Sequence, residues 1–197
     1  MNEEERRRVA VVLEALEEVI RDHNVVLPEG AIESFTDWYW TTVCVVMTRY
    51  STSTFGQMTT IAVEEDTVPP TGKGTLPMIR LWSNNECILP YTKKMKIPEA
   101  HAEQRLIAIA AARGTALAGS TLYITFPPCA TCFVSILHSG ITRCVHRRQL
   151  RLPYGTEAAK AHHVAFTGLS PSPCDELRVE VAKLVWQTNL MKKELGI

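Results

Sequence analysis

The sequence contains no run of about 18 apolar residues, the length a membrane-spanning helix requires. It has no excess of charge either: 21 Lys and Arg face 21 Asp and Glu. That balance argues against tight non-specific polynucleotide binding, which rests on many cationic contacts to phosphate. Internal repeats and low-complexity segments are absent, which argues against solenoid, propeller and disordered-tail readings. The acidic opening, Met1-Asn2-Glu3-Glu4-Glu5, lacks the basic character of a signal or transit peptide. The six cysteines are therefore expected as free or metal-bound thiols in a reducing compartment, the cytoplasm, with no membrane partner.

What is present is concentrated in two short motifs. His101-Ala102-Glu103 is followed, 28 positions after the histidine, by Pro128-Cys129-Ala130-Thr131-Cys132. One His and two Cys supply three metal ligands, and an open fourth position suits a catalytic zinc with a bound water or hydroxide. One zinc per chain is expected, held by His101, Cys129 and Cys132. Structural zinc wants four closed ligands, and Cys44, Cys87, Cys144, Cys174, His138 and His146 form no second C-x-x-C or C-x-x-H pair. A redox dithiol has no need of an upstream H-x-E. The combination H-x-E with P-C-x-x-C is the pattern of zinc nucleobase deaminases, in which the Glu moves protons and does not bind metal.

Local signals place these motifs. Pro98 to Arg113 reads as a helix ended by Gly114, with His101 in its first turn. Positions i and i+2 do not share a helix face, so Glu103 is expected to lean over the open coordination position. Leu122 to Phe126 reads as a strand, followed by a helix opened by Pro128 and closed by Gly140. Cys129 and Cys132 then share a face at the positive end of that helix, which favours thiolate.

Along the rest of the chain, Glu3 to His23 carries a helical stripe of Val9, Val12, Leu13, Leu16, Val19 and Ile20. Trp38 to Tyr50 reads as a buried helix, and Thr59 to Val63 and Met78 to Trp82 as strands. Residues 84 to 97 read as a loop, and Ile141 to His146 as a strand. Ser172 to Asp175 suits the cap of a final helix with Leu177, Val181, Leu184, Val185 and Met191 on one side. The order implies an α/β fold: a three-layer α/β/α sandwich on a mixed, mostly parallel central sheet of about five strands. The expected division is an N-terminal helical extension (1–28), the zinc-bearing domain (29–169) and a C-terminal helix packing on the core (170–197).

From about Asp37 to Val145 the chain resembles the deoxycytidylate deaminase branch of the cytidine deaminase superfamily. The likeness includes Trp38-Tyr39-Trp40, Ser51-Thr52-Ser53-Thr54, Gln57-Met58, Ile61-Ala62-Val63, Gly119 to Thr125 and Ser139-Gly140-Ile141. It implies a cytidine deaminase-like fold, zinc on His101, Cys129 and Cys132, and Glu103 as proton shuttle. Two departures stand out: Phe55-Gly56 where the family has basic residues, and Arg105 where it has a small polar one. The expected reaction is hydrolytic deamination of a cytosine-type base, foremost dCMP to dUMP as a free nucleotide. The alternatives are a deaminase of single-stranded DNA or tRNA and a non-catalytic partner subunit; the intact Glu103 argues against the last.

Candidate substrate contacts are Asn84, Ala102 and Tyr154. Asn84 and Asn85 suit a ribose contact or equally a turn. Arg147, Arg148 and Arg151 suit a phosphate or a solvated loop, Tyr154 a stacked base or packing, and Lys93, Lys94 and Lys96 ordinary surface more than phosphate. The stripes of the first and last helices must be buried, on their own core or between subunits; a homo-oligomer is expected.

Overall fold

A computed structural model of the chain describes residues 1–23, 32–53, 56–64, 79–87, 99–147, 156–169 and 175–187. Met191, Cys174, Tyr154, Arg148, Arg151 and the lysines at 93, 94 and 96 lie outside these residues.

The first helix, α1 (Glu3–Asp22), starts at Asn2, whose side chain accepts from the Glu5 amide while the Glu5 carboxylate accepts from the Asn2 amide. The second, α2 (Ile32–Met47), runs into a 3₁₀ turn at Thr48–Tyr50. Then come β1 (Thr59–Glu64), β2 (Ile79–Asn84), β3 (Glu86–Cys87), β4 (Glu99–Ala100) and α3 (Ala102–Arg113). They are followed by β5 (Ser120–Ile124), α4 (Ala130–Leu137), β6 (Arg143–His146), α5 (Thr156–Ala161), β7 (Ala165–Gly168) and α6 (Asp175–Gln187).

The main sheet has the order β2-β1-β5-β6-β7. Strand β1 is antiparallel to both neighbours, while β5, β6 and β7 pair in parallel, so four of the five strands run the same way. Alternation along each strand feeds two cores. Ile61, Val63, Tyr123 and Val145 face one core with side chains of α1, α2 and α6. Ala62, Leu122, Ile124 and Cys144 face the other with Leu106 and Ala110 of α3 and Ile136 of α4. The three-layer sandwich is therefore as expected from the sequence.

Both amphipathic stripes are used within the chain. Val9, Val12, Leu13, Leu16 and Val19 join Val181 and Val185 in the same core as Trp38 and Trp40. Burying each such Val or Leu contributes about 1.5–3 kcal/mol. The described members of both stripes thus pack within the chain. Among the described residues no helix is long and apolar enough to cross a membrane, and no described cysteine is in a disulfide.

Several boundaries differ from the sequence reading: α2 begins at Ile32 rather than Trp38 and ends at Met47, Glu86–Cys87 is a short strand inside the expected loop, and β6 begins at Arg143 rather than Ile141. Helix α3 begins at Ala102 rather than Pro98, because Glu99 and Ala100 are held extended by pairing with Cys87 and Glu86. Helix α4 begins at Ala130 with Cys129 as its N-cap, so Pro128 lies before the helix and not at its first position. Its C-cap is His138, and Gly140 turns the chain two residues later at φ +80°. A Cβ on Gly140 would lie 3.1 Å from the Ala118 Cα, so this turn requires glycine.

An ion pair between half-buried Arg143 and buried Asp37 ties the sheet to α2. Arg143 grips Asp37 with two hydrogen bonds of 2.7 and 2.6 Å, and the Tyr123 hydroxyl donates to the same carboxylate at 3.2 Å. Arg143→Ala leaves the Asp37 charge buried with a single neutral donor. The expected cost is about 3–5 kcal/mol in a urea-unfolding measurement, and Asp37→Asn in that background should recover part of it.

Candidate metal and catalytic site

Two helix starts and two sheet elements converge on one point. His101 is the N-cap of α3 and Cys129 the N-cap of α4, both with extended backbone. Neither side chain caps its own helix, although the first intrahelical bonds form behind them, from the Arg105 amide to the His101 carbonyl and from the Phe133 amide to the Cys129 carbonyl. Polar caps usually contribute about 1 kcal/mol to a helix. Here both cap positions are given over to ligand atoms that face one another.

His101 Nδ1 lies 3.4 Å from Cys129 Sγ and 3.5 Å from Cys132 Sγ. Zinc bound at about 2.3 Å to sulfur and about 2.0–2.1 Å to nitrogen in a tetrahedron requires S···N edges of about 3.6 Å. The residues therefore fit the metal in both donor chemistry and spacing. Among the described residues this is the one such group, its three ligand atoms lying within 4.8 Å of one another. His101 is exposed, Cys129 half-buried and Cys132 buried, so the cluster opens to solvent on the histidine side.

The Cys132 thiol departs from the expectation of a ready thiolate. Burial, then the Glu103 carboxylate and Cys129, push the Cys132 thiol well up, outweighing the helix N-terminus. A cation between the sulfurs is what makes the thiolate favourable, so metal uptake releases protons and strengthens as pH rises.

Glu103 is buried, at 6% exposure, in the first turn of α3. Burial raises its carboxyl above the ordinary range, while its own backbone amide, the charge of His101 and a hydrogen bond with Cys132 act against the rise. A buried carboxyl touching the metal ligands but outside the ligand set is the arrangement a proton carrier needs.

The two neighbouring asparagines have separate surroundings. Asn84 ends β2 opposite Thr59, whose hydroxyl donates to its Oδ1. Its Nδ2 has no hydrogen-bond partner among the described residues. Asn85 is saturated: Oδ1 accepts from Ser51 Oγ at 2.6 Å and the Met58 amide at 2.8 Å, and Nδ2 donates to the Gly56 carbonyl and to Glu99. Ala102 is buried at the first position of α3. Arg147 is exposed just past β6. Arg105 pairs with Glu86 at 2.7 Å and reaches the Asn84 carbonyl at 3.4 Å, a bracket the sequence reading did not assign.

The family model for the cytidine and deoxycytidylate deaminase zinc-binding region matches residues 3–147. The match starts at the first residue of α1 and includes His101, Glu103, Cys129, Cys132, Asn84 and Ala102, but not Arg148, Arg151 or Tyr154. A deoxycytidylate deaminase of Enterobacteria phage T2 is 42% identical over 48 residues, 24% of this chain and 26% of that protein. The chain thus spans about a quarter of the length of the curated relatives it matches. Among solved structures, the dCMP deaminase of cyanophage S-TIM5 in apo form superposes with a TM-score of 0.53 at 17% identity, covering 68% of this chain and 96% of that one. The same phage enzyme in complex with dCMP and dUMP gives 0.51 at 18% identity, covering 66% and 94%. At these identities the structural likeness concerns the fold.

Proposed function

Because this chain belongs to the cytidine and deoxycytidylate deaminase family, we propose that it hydrolytically deaminates a cytosine-type base, with dCMP converted to dUMP as its principal reaction. The observation that carries the reading is the placement of buried Glu103 beside a His-Cys-Cys triad whose edges, 3.4 and 3.5 Å, suit one zinc per chain. The phage relative named deoxycytidylate deaminase supports the choice of nucleotide.

His101, Cys129 and Cys132 hold the metal. Zinc, when bound, acts as a Lewis acid that lowers the pKa of water from about 15.7 to about 7. Glu103 takes the proton of the attacking water as its oxygen adds to C4 of the ring. It delivers that proton to the ring N3. It then carries the remaining hydroxyl proton to the exocyclic nitrogen, which leaves as ammonia while the C4 carbonyl forms. Burial makes the Glu103 carboxylate a stronger base than an exposed one, which suits a group that first accepts the water proton and then passes it on. Asn84, with Nδ2 uncommitted, donates to the sugar. Ala102 presents backbone groups to the base at the start of α3, and Tyr154 supplies a stacking face.

Ammonia release from dCMP, deoxycytidine, cytosine, guanine and short oligonucleotides tests the substrate. The expected order places dCMP first. Oligonucleotides turned over faster than dCMP would instead support the polynucleotide reading, and guanine or free cytosine in first place would overturn the nucleotide assignment.

A further inference from the structure

We infer that Asn85 is a positioning residue for the metal ligand His101, acting through Glu99 and the short β3–β4 ribbon; the inference rests on the metal-site reading above. Asn85 occupies the single residue between β2 and β3, where the chain leaves the main sheet. The ribbon pairs Glu86 with Ala100 and Cys87 with Glu99. Continued by one step, that register sets Asn85 across from His101.

An asparagine side chain offers two donor hydrogens and an oxygen with two acceptor sites. All four are used here, at 3% exposure. Its backbone amide also donates to the Met58 carbonyl at 3.1 Å. The Met58 amide fixes which end of the carboxamide is oxygen, and this turns Nδ2 toward the Gly56 carbonyl and the Glu99 carboxylate. One side chain thereby joins the segment entering β1, the end of β2 and the strand that delivers His101. None of its polar atoms is left for substrate, which separates it from Asn84. The effect on chemistry is indirect: Asn85 sets where His101 Nδ1 sits relative to the two sulfurs. Groups that orient a metal ligand typically change metal affinity by about 10–100-fold when removed.

Asn85→Asp puts a carboxylate oxygen against both the Gly56 carbonyl and Glu99. Zinc-loaded protein is mixed with excess pyridylazoresorcinol and metal release is timed, with kcat, KM and the urea-unfolding midpoint measured alongside. Asn85→Asp is expected to release zinc about tenfold faster or more and to lower kcat while KM stays within about twofold. Adding Glu99→Gln should recover part of both losses, since an amide then donates where two carboxylates met. Glu99→Ala, at a half-buried position, should show the same faster release and carries the test if Asn85→Asp does not fold. Unchanged release in both single variants overturns the inference, as does a lowered unfolding midpoint with unchanged release. A parent protein that holds no zinc defeats the metal-site reading itself, and this inference with it.

Discussion

Glu103→Ala should retain zinc and lose about 10²–10⁴-fold in kcat, the range that positioned proton transfer supplies. The carboxyl touches the ligand set without belonging to it, so metal analysis and turnover should separate cleanly. Activity within a few-fold of the parent would rule out the proton-carrier role. The same residue should cost the metal-free protein stability. Burial raises its folded pKa above the unfolded value, so the folded state binds more protons there. Stability is then lost as pH rises from the ordinary carboxylate pKa of about 4.3 through the raised folded value. Metal-free Glu103→Gln lacks this loss. Its urea midpoint should exceed the parent's at pH 7, and the two should converge below about pH 4. A gap that persists unchanged at low pH would contradict the assigned direction.

Cys132→Ala should remove zinc and with it all measurable deamination. Two remaining ligands cannot close a site of this type, and structural zinc sites show binding energies of about 10–16 kcal/mol that are lost with the metal. Cys129→Ala should behave alike, since its sulfur stands 3.4 Å from the same His101 nitrogen. Cys144→Ala is the control: that thiol is fully buried in the second core and lies outside the ligand group. It should keep its zinc and lose only packing energy. Full zinc occupancy in either ligand variant would sink the assignment of the triad.

The metal site was legible in the sequence because its chemistry depends on residue type and short spacing. His101, Cys129 and Cys132 lie together and Glu103 touches Cys132 without joining that group, although His101 is the extended N-cap of α3 and not, as expected, in its first turn. The sheet was legible because hydrophobic runs such as Thr59–Glu64 and Ser120–Ile124 carry their own period. Strand β7 escaped because Ala165–Gly168 is a short, partly exposed edge segment that ends in glycine and has little β-branched character. The start of α3 was misplaced because propensity favours helix from Pro98, whereas pairing of Glu99 and Ala100 with a distant segment holds the chain extended. The asparagines could not be told apart for a similar reason. Asn85 is defined by partners at Ser51, Gly56, Met58 and Glu99, contacts that no local pattern encodes. That Val9–Val19 of α1 and Val181 and Val185 of α6 meet in one core is likewise a tertiary fact.

The most direct measurement is a mass balance in ¹⁸O-labelled water on the best substrate of the panel, with zinc-loaded protein. Hydrolytic deamination at this site predicts one equivalent of ammonia per product molecule and one labelled oxygen on the former C4 amine position. Both should vanish in Glu103→Ala and Cys132→Ala. Product formed without ammonia, without label, or at an undiminished rate in those two variants would contradict it.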